Sequence, residues 1–212
     1  MITHNLLEQL RDKKTTAEKV AADLVENPGL APQIMDGLSS PVAGVKFGCA
    51  KILRITSITI PQKLYPYFDE FADLLKSPNN IIKWNAIDII AGLTKADQHN
   101  KFEKLFRFYY DLLKDESMVT AAHVIENSPM IAAAKPHLLQ KISKELLKIE
   151  HIQRNSECRN ILMGKAILAY DHMFDLIDDR EDVLSFVKRQ TANRRNATKK
   201  KAERFLEKHK TA

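Results

Sequence analysis

The most concentrated chemistry in this 212-residue sequence is a run of basic side chains near its C-terminal end. Residues 188–212 contain ten Lys and Arg against two Glu, whereas residues 1–187 contain 23 basic and 25 acidic side chains. Such a segment attracts anions, and either nucleic-acid phosphates or an acidic protein would use the same groups. A solubilising surface is the alternative. The candidate binding residues are Arg194, Arg195, Lys199, Lys200, Lys201 and Arg204.

A second candidate site is an aromatic ring and a carboxylate one helical turn apart. At 100° per residue, Trp84 and Asp88 lie together on a helix predicted over 79–94. The apolar arc opposite them contains Ile82, Ala86, Ile89, Ile90 and Leu93. The aromatic also has a structural interpretation, because Phe47 occupies the corresponding place in the preceding helical segment. The ring could therefore fill a packing position between helices.

Other catalytic and ligand-binding patterns do not occur in the sequence. It contains no His-x-His, no His-Glu-x-x-His, no Gly-x-Ser-x-Gly and no glycine-rich phosphate loop. Cys49 and Cys158 lie outside any Cys-x-x-Cys pattern, and Cys49 is expected in the core. We therefore expect no metal and no cofactor, and a binding protein is favoured over an enzyme.

The elements that position these residues are predicted to be helices almost throughout. Apolar residues recur at helical spacing, alternation with a period of two is nearly absent, and the chain has only 6 Gly and 8 Pro. About twelve helices are predicted, with breaks at dipeptides such as Ser77-Pro78 and Ser128-Pro129. They are 3–13, 15–26, 30–38, 42–57, 62–76, 79–94, 98–114, 117–127, 130–149, 156–177, 180–191 and 195–209.

The prediction for the whole chain is one domain over residues 1–212, because no long or Gly/Ser-rich linker interrupts it. No apolar window is long enough to span a membrane, and the first residues do not resemble a signal peptide. A cytoplasmic protein is expected, or a nuclear one if the source is eukaryotic.

An internal repeat orders the helices into pairs. The segment around Pro41, Val45-Lys46-Phe47 and Cys49 aligns without gaps on Pro78, Ile82-Lys83-Trp84 and Ala86, 37 residues later. A weaker copy begins near Met118, and Pro66 and Pro136, both early in a preceding helix, are 70 residues apart. Each unit is therefore a two-helix hairpin that must stack on its neighbours to bury its apolar face.

This pattern resembles the HEAT and armadillo-type helical repeats, with about five units over roughly residues 28–209. The resemblance implies an all-α, right-handed helical-hairpin solenoid with a concave binding surface. It also implies that the basic helix at about 195–209 is a terminal cap. A non-enzymatic binding module or scaffold for a protein or nucleic acid is the expected function.

The Trp84 and Asp88 pair resembles the active-site helix of the HEAT-like DNA glycosylases that excise alkylated bases. In that family the Asp is thought to stabilise the cationic sugar as the base leaves, and aromatic residues stack on DNA. The family uses further aromatics and an Arg on later helices, whereas Trp84 is the only Trp of this chain. A glycosylase is therefore the alternative function.

Overall fold

The computed structural model describes residues 3–210, with side chains from residue 6 onward. All regular secondary structure in this range is helical, which confirms the all-α prediction. Contacts between residues group the chain into two compact units, residues 1–105 and residues 106–212, and each unit is described by itself. The single-domain interpretation stays a prediction.

Short connections and 3₁₀ turns join the helices, with α8 containing the boundary between the units. The helices up to this boundary are α1 (Thr3–Arg11), α2 (Ala17–Glu26), α3 (Ala31–Gly37), α4 (Ala43–Thr59), α5 (Pro61–Leu64), α6 (Phe68–Leu74), α7 (Asn80–Leu93) and α8 (Lys101–Asp111). Those that follow are α9 (Met118–Ala134), α10 (Leu139–Leu147), α11 (Ser156–Met173), α12 (Glu181–Gln190) and α13 (Asn196–Lys208).

Polar side chains fix where several of the longer helices begin. The Asn79 side-chain oxygen accepts hydrogen bonds from the backbone N–H groups of Ile81 and Ile82, at 3.0 and 3.2 Å. Asn155 accepts from the N–H of Glu157 at 2.9 Å at the start of α11. These bonds satisfy donors that the first turn of a helix leaves without partners, so the Pro-flanked breaks seen in the sequence become helix starts.

In each unit the second helices of the hairpins pack side by side. In the first unit α4 packs between α2 and α7, while α3 and α6 pack against this row. In the second unit α11 packs between α9 and α13, with α10 and α12 packed against them. The buried side chains lie where the two rows meet, and they include Phe68, Phe71, Tyr170 and Phe186.

Two glycines allow neighbouring second helices to approach closely. A methyl group on Gly92 of α7 would lie 2.8 Å from the Ser57 hydroxyl and 2.9 Å from its carbonyl oxygen on α4. A methyl group on Gly164 of α11 would lie 2.7 Å from the Thr198 hydroxyl on α13. Both distances are below van der Waals contact, so glycine is required at these crossings.

Side-chain contacts between hairpins repeat with the length of one hairpin. Ion pairs join Glu18 to Lys51 and Asp88 to Arg54 in the first unit. In the second unit hydrogen bonds join residues 38 to 41 apart, for example Thr198 to the carbonyl of Asn160. These spacings agree with the period of the sequence repeat, and consecutive hairpins within each unit therefore pack on one another.

The predicted helix break at Ser128-Pro129 is wrong. One helix, α9, runs through Pro129, and the chain turns instead at Lys135 before Pro136. Proline in a helix leaves a carbonyl of the preceding turn without its backbone donor. For Pro129 this carbonyl is that of Ile125, four residues earlier. Burial of Ile125 and Ile131 on either side adds packing energy that keeps the helix continuous.

Replacing Gly92 by alanine should destabilise the protein by about 1–3 kcal/mol, because the added methyl meets the backbone of α4. The matched control is Gly44→Ala, where the added methyl has nothing within 4 Å. That change should leave stability equal or slightly higher, since alanine favours helix. Urea unfolding followed by the fluorescence of Trp84 measures both, and equal stability of the Gly92 variant and the wild type would contradict the close crossing.

Candidate functional site

The basic C-terminal residues lie on or beside α13, the helix predicted over 195–209. Its buried face contains Thr198, Ala202 and Phe205. The Thr198 hydroxyl donates to the carbonyl oxygen of Asn160 at 2.7 Å, and the Phe205 ring packs edge-on against Phe174 at 5.0 Å between centroids. This packing holds one face of α13 against the second unit, so its remaining face is presented outward.

The end of α13 is anchored by a carboxylate of α11. Asp171 accepts hydrogen bonds from the Lys208 ammonium at 2.8 Å and pairs with Nε2 of His209 at 2.9 Å. The His209 ring is buried between Phe174 and Phe205, with centroids 4.5 Å away. Burial of Asp171 raises the pKa of its carboxyl group. The hydrogen bonds from Lys208 and His209 lower this pKa by more than burial raises it, so the net pKa lies below the usual value.

The structure divides the six predicted binding residues into two sets. In the first set, Arg195 pairs with Glu157 of α11, and Lys199 pairs with Glu203 one turn along α13, at 3.9 Å. Lys201 is half-buried. The second set is exposed and makes no ion pair with any residue that the structure describes; it contains Arg194, Lys200 and Arg204.

Lys201 lies in a region of local positive charge. Burial is the largest cause that lowers the pKa of Lys201, and the nearby cations Lys165 and Arg195 lower it further. Glu126 raises this pKa by a smaller amount. Lys165 and Arg195 are themselves paired with Glu126 and Glu157, so burial is the main cause of the lowered pKa.

The neighbouring faces of α9 and α11 combine apolar and charged side chains. Val119 of α9 and Leu168 of α11 are 37% and 45% exposed, unusual for aliphatic residues on packed helices. Ion pairs from Glu126 to Lys165 and from Glu157 to Arg195 bridge α9, α11 and α13. Apolar side chains among charged neighbours are typical of protein interfaces. Sequence reasoning missed Leu168, although helical spacing places it opposite the apolar arc of α11.

Trp84 and Asp88 lie one helical turn apart on α7, and both side chains are partly buried. Trp84 is half-buried, and the Asp88 side chain is 16% exposed. The Arg54 guanidinium on α4 lies 4.0 Å from the Asp88 carboxylate. The structure therefore places an arginine beside this pair, although it comes from a preceding helix.

Within residues 3–210 no three His, Cys, Asp or Glu side chains lie close enough to hold a metal ion. No helix in the same range has the length and apolarity needed to cross a bilayer. Cys49 is fully buried, and burial raises its thiol pKa to about 12.

Four chains of solved structures match this fold, and one of them does so over the whole chain. The latter is a crystal structure described as an engineered protein, determined by the Northeast Structural Genomics Consortium. It is 16% identical, has a TM-score of 0.53, and the match covers 100% of this chain and 97% of that chain. At this identity the likeness shows the all-helical fold alone. The sequence matches no protein-family model and no curated protein.

Replacing Asp171 by asparagine should lower stability by about 1 kcal/mol at neutral pH, because its partly exposed ion pairs contribute modestly. Its native pKa is lowered, so this stabilisation is complete above the unfolded-state pKa of about 3.9. It is lost as pH falls through the native value. The difference in unfolding free energy between wild type and variant should therefore shrink in acid. Asp36→Asn, at an exposed aspartate, is the control, and a pH-independent difference would contradict the assignment.

Proposed function

We propose that this protein is a non-enzymatic, HEAT-like helical-repeat binding module. In this proposal its hairpins form a right-handed solenoid with the basic helix α13 as terminal cap. A protein or nucleic-acid partner is held on the concave surface and on the basic C-terminal end. The hairpin-length spacing of the side-chain contacts in each unit supports the repeat architecture.

One observation carries the proposal for the basic end. Arg194, Lys200 and Arg204 are exposed and have no acidic partner among the described residues, whereas other bases around them are paired. Exposed cations without partners can neutralise phosphates or carboxylates without first breaking an internal ion pair.

Nucleic acid is the partner to test first, because its phosphates give a quantitative signature. Replacing Arg194, Lys200 and Arg204 together by Gln should weaken duplex binding and lower the slope of log affinity against log salt by about 2.7, at about 0.9 per phosphate contact. Fluorescence anisotropy with labelled duplex DNA and single-stranded RNA, at about 50 and 200 mM salt, measures this effect.

The matched control removes three exposed lysines from the first unit, Lys19, Lys63 and Lys95, also by Gln. This control has the same net charge as the test variant, and its salt slope should stay close to that of the wild type. If both triple variants bind nucleic acid equally well, the basic residues at the C-terminal end do not form a specific binding surface. Absence of any nucleic-acid binding at low salt would leave an acidic protein as the partner, to be sought by pull-down.

A second candidate function is excision of alkylated bases by Trp84 and Asp88. The observation that favours it is Arg54, which lies 4.0 Å from Asp88 and places a cation beside the carboxylate. In this hypothesis Trp84 stacks on DNA and Asp88 stabilises the positive charge on the sugar as the base departs.

If Asp88 takes part in base excision, the wild-type protein should create abasic sites in alkylated duplex DNA. Asp88→Asn should abolish this activity, because the amide has no negative charge to stabilise the cation. Strand cleavage at abasic sites after alkali measures it. Asp73→Asn, at an exposed aspartate of α6, is the control and should keep full activity. An inactive wild type, or an active Asp88 variant, would eliminate the enzyme hypothesis.

A further inference from the structure

A groove on the first unit carries acidic side chains, in contrast to the basic side chains of α13. It lies between α2 and α4 and has a volume of about 420 Å³. Its aliphatic lining includes the buried Ala21 and the half-buried Val25 and Ile55, and its acidic lining residues are Glu18, Asp23 and Glu26. A concave apolar surface with a few charged groups is the usual form of a side-chain or ligand site.

The acidic side chains of the groove differ in whether they form an ion pair. Glu18 pairs with Lys51 of α4 at 2.5 Å, and this pair closes one end of the groove. Asp23 and Glu26 are exposed and form no ion pair with any residue in the part of the chain that the structure describes. The open end of the groove therefore carries two carboxylates that can accept cations from a partner.

The ends of the two helices add negative potential at the same place. α2 and α4 run parallel here, because Glu18 lies beside Lys51 while Glu26 lines the groove together with Thr59. Both helices thus end at the open end of the groove, α2 at Glu26 and α4 at Thr59. Neither has a basic residue in its last turn, so the partial negative charge of their terminal carbonyls is not neutralised by their own side chains.

A further aliphatic side chain of α4 lies beyond the groove lining. Ile58 of α4, one turn beyond Ile55, is 48% exposed. An aliphatic side chain with half its surface in water, next to an apolar groove, gains free energy when a partner covers it. The aliphatic lining and Ile58 therefore favour an occupant with aliphatic side chains on one face.

We propose that this groove binds a basic amphipathic helix of a protein partner. Aliphatic side chains of that helix lie on Val25, Ile55 and Ile58, and its Lys or Arg side chains contact Asp23, Glu26 and the ends of α2 and α4. Recognition of this kind uses a hydrophobic groove for one helix face and complementary charge for orientation. The proposal is independent of the basic surface on α13, because none of its residues lies in the second unit.

The test uses the full chain and a fluorescein-labelled amphipathic peptide of leucine and lysine, with a leucine and glutamate peptide for comparison. Ala22→Lys places a cation on the groove wall at an exposed position, so the fold should be unaffected. It should raise the Kd of the basic peptide by at least about tenfold, through charge repulsion and steric block. Ala133→Lys, at an exposed alanine of α9, adds the same charge elsewhere and should change the Kd by less than about twofold.

Each result decides the proposal. Equal affinity of the two lysine variants overturns it, as does equal binding of the acidic peptide, which would show an apolar surface without charge selectivity. Thermal unfolding by circular dichroism confirms that both variants fold. Glu26→Gln is a second, milder variant, and it should also weaken the basic peptide. Sedimentation of the protein without peptide tests whether a second copy occupies the groove. A dimeric wild type and a monomeric Ala22→Lys variant would identify a second copy as the occupant and overturn the proposal.

Discussion

The close crossing of successive second helices is the constraint on which the rest of each unit depends. Gly92 meets the backbone of Ser57, and Gly164 meets the side chain of Thr198, at distances where no larger residue fits. Close approach brings polar groups of neighbouring hairpins into direct contact, as when Thr198 donates to Asn160. One such crossing occurs in each unit, between α4 and α7 in the first and between α11 and α13 in the second.

This packing also decides which charges remain available. Where two second helices lie side by side, acids and bases pair across the crossing, as Glu126 does with Lys165 and Glu157 with Arg195. Exposed pairs of this kind contribute at most about 1 kcal/mol each, so their main effect is to fix the orientation of neighbouring helices. Lys200 and Arg204 on α13 form no ion pair with any residue that the structure describes.

Much of the fold could be predicted because helical periodicity and capping are local properties. The Asn79 cap and the buried face of α13 follow from residues within one or two turns. Pro129 could not be placed correctly, because the burial of Ile125 and Ile131 that keeps α9 continuous depends on tertiary packing. The small residues at Gly92, Ser128 and Gly164, spaced by 36, were a signal in the sequence. Their role in packing could not be inferred without knowing which helices cross.

The candidate surfaces were harder to predict than the fold, because charge in the sequence does not show which charges are already paired. The sequence identifies the basic end by its composition, but only the structure separates Arg195, held by Glu157, from the exposed Lys200. The acidic groove gave no compositional signal, since Glu18 and Glu26 lie in a segment of mixed charge. It arises because two parallel helices end together without a basic residue in either last turn. A repeat fold that keeps its helices parallel therefore creates charged edges from backbone alone, and side chains decide whether those edges are neutralised or left for a partner.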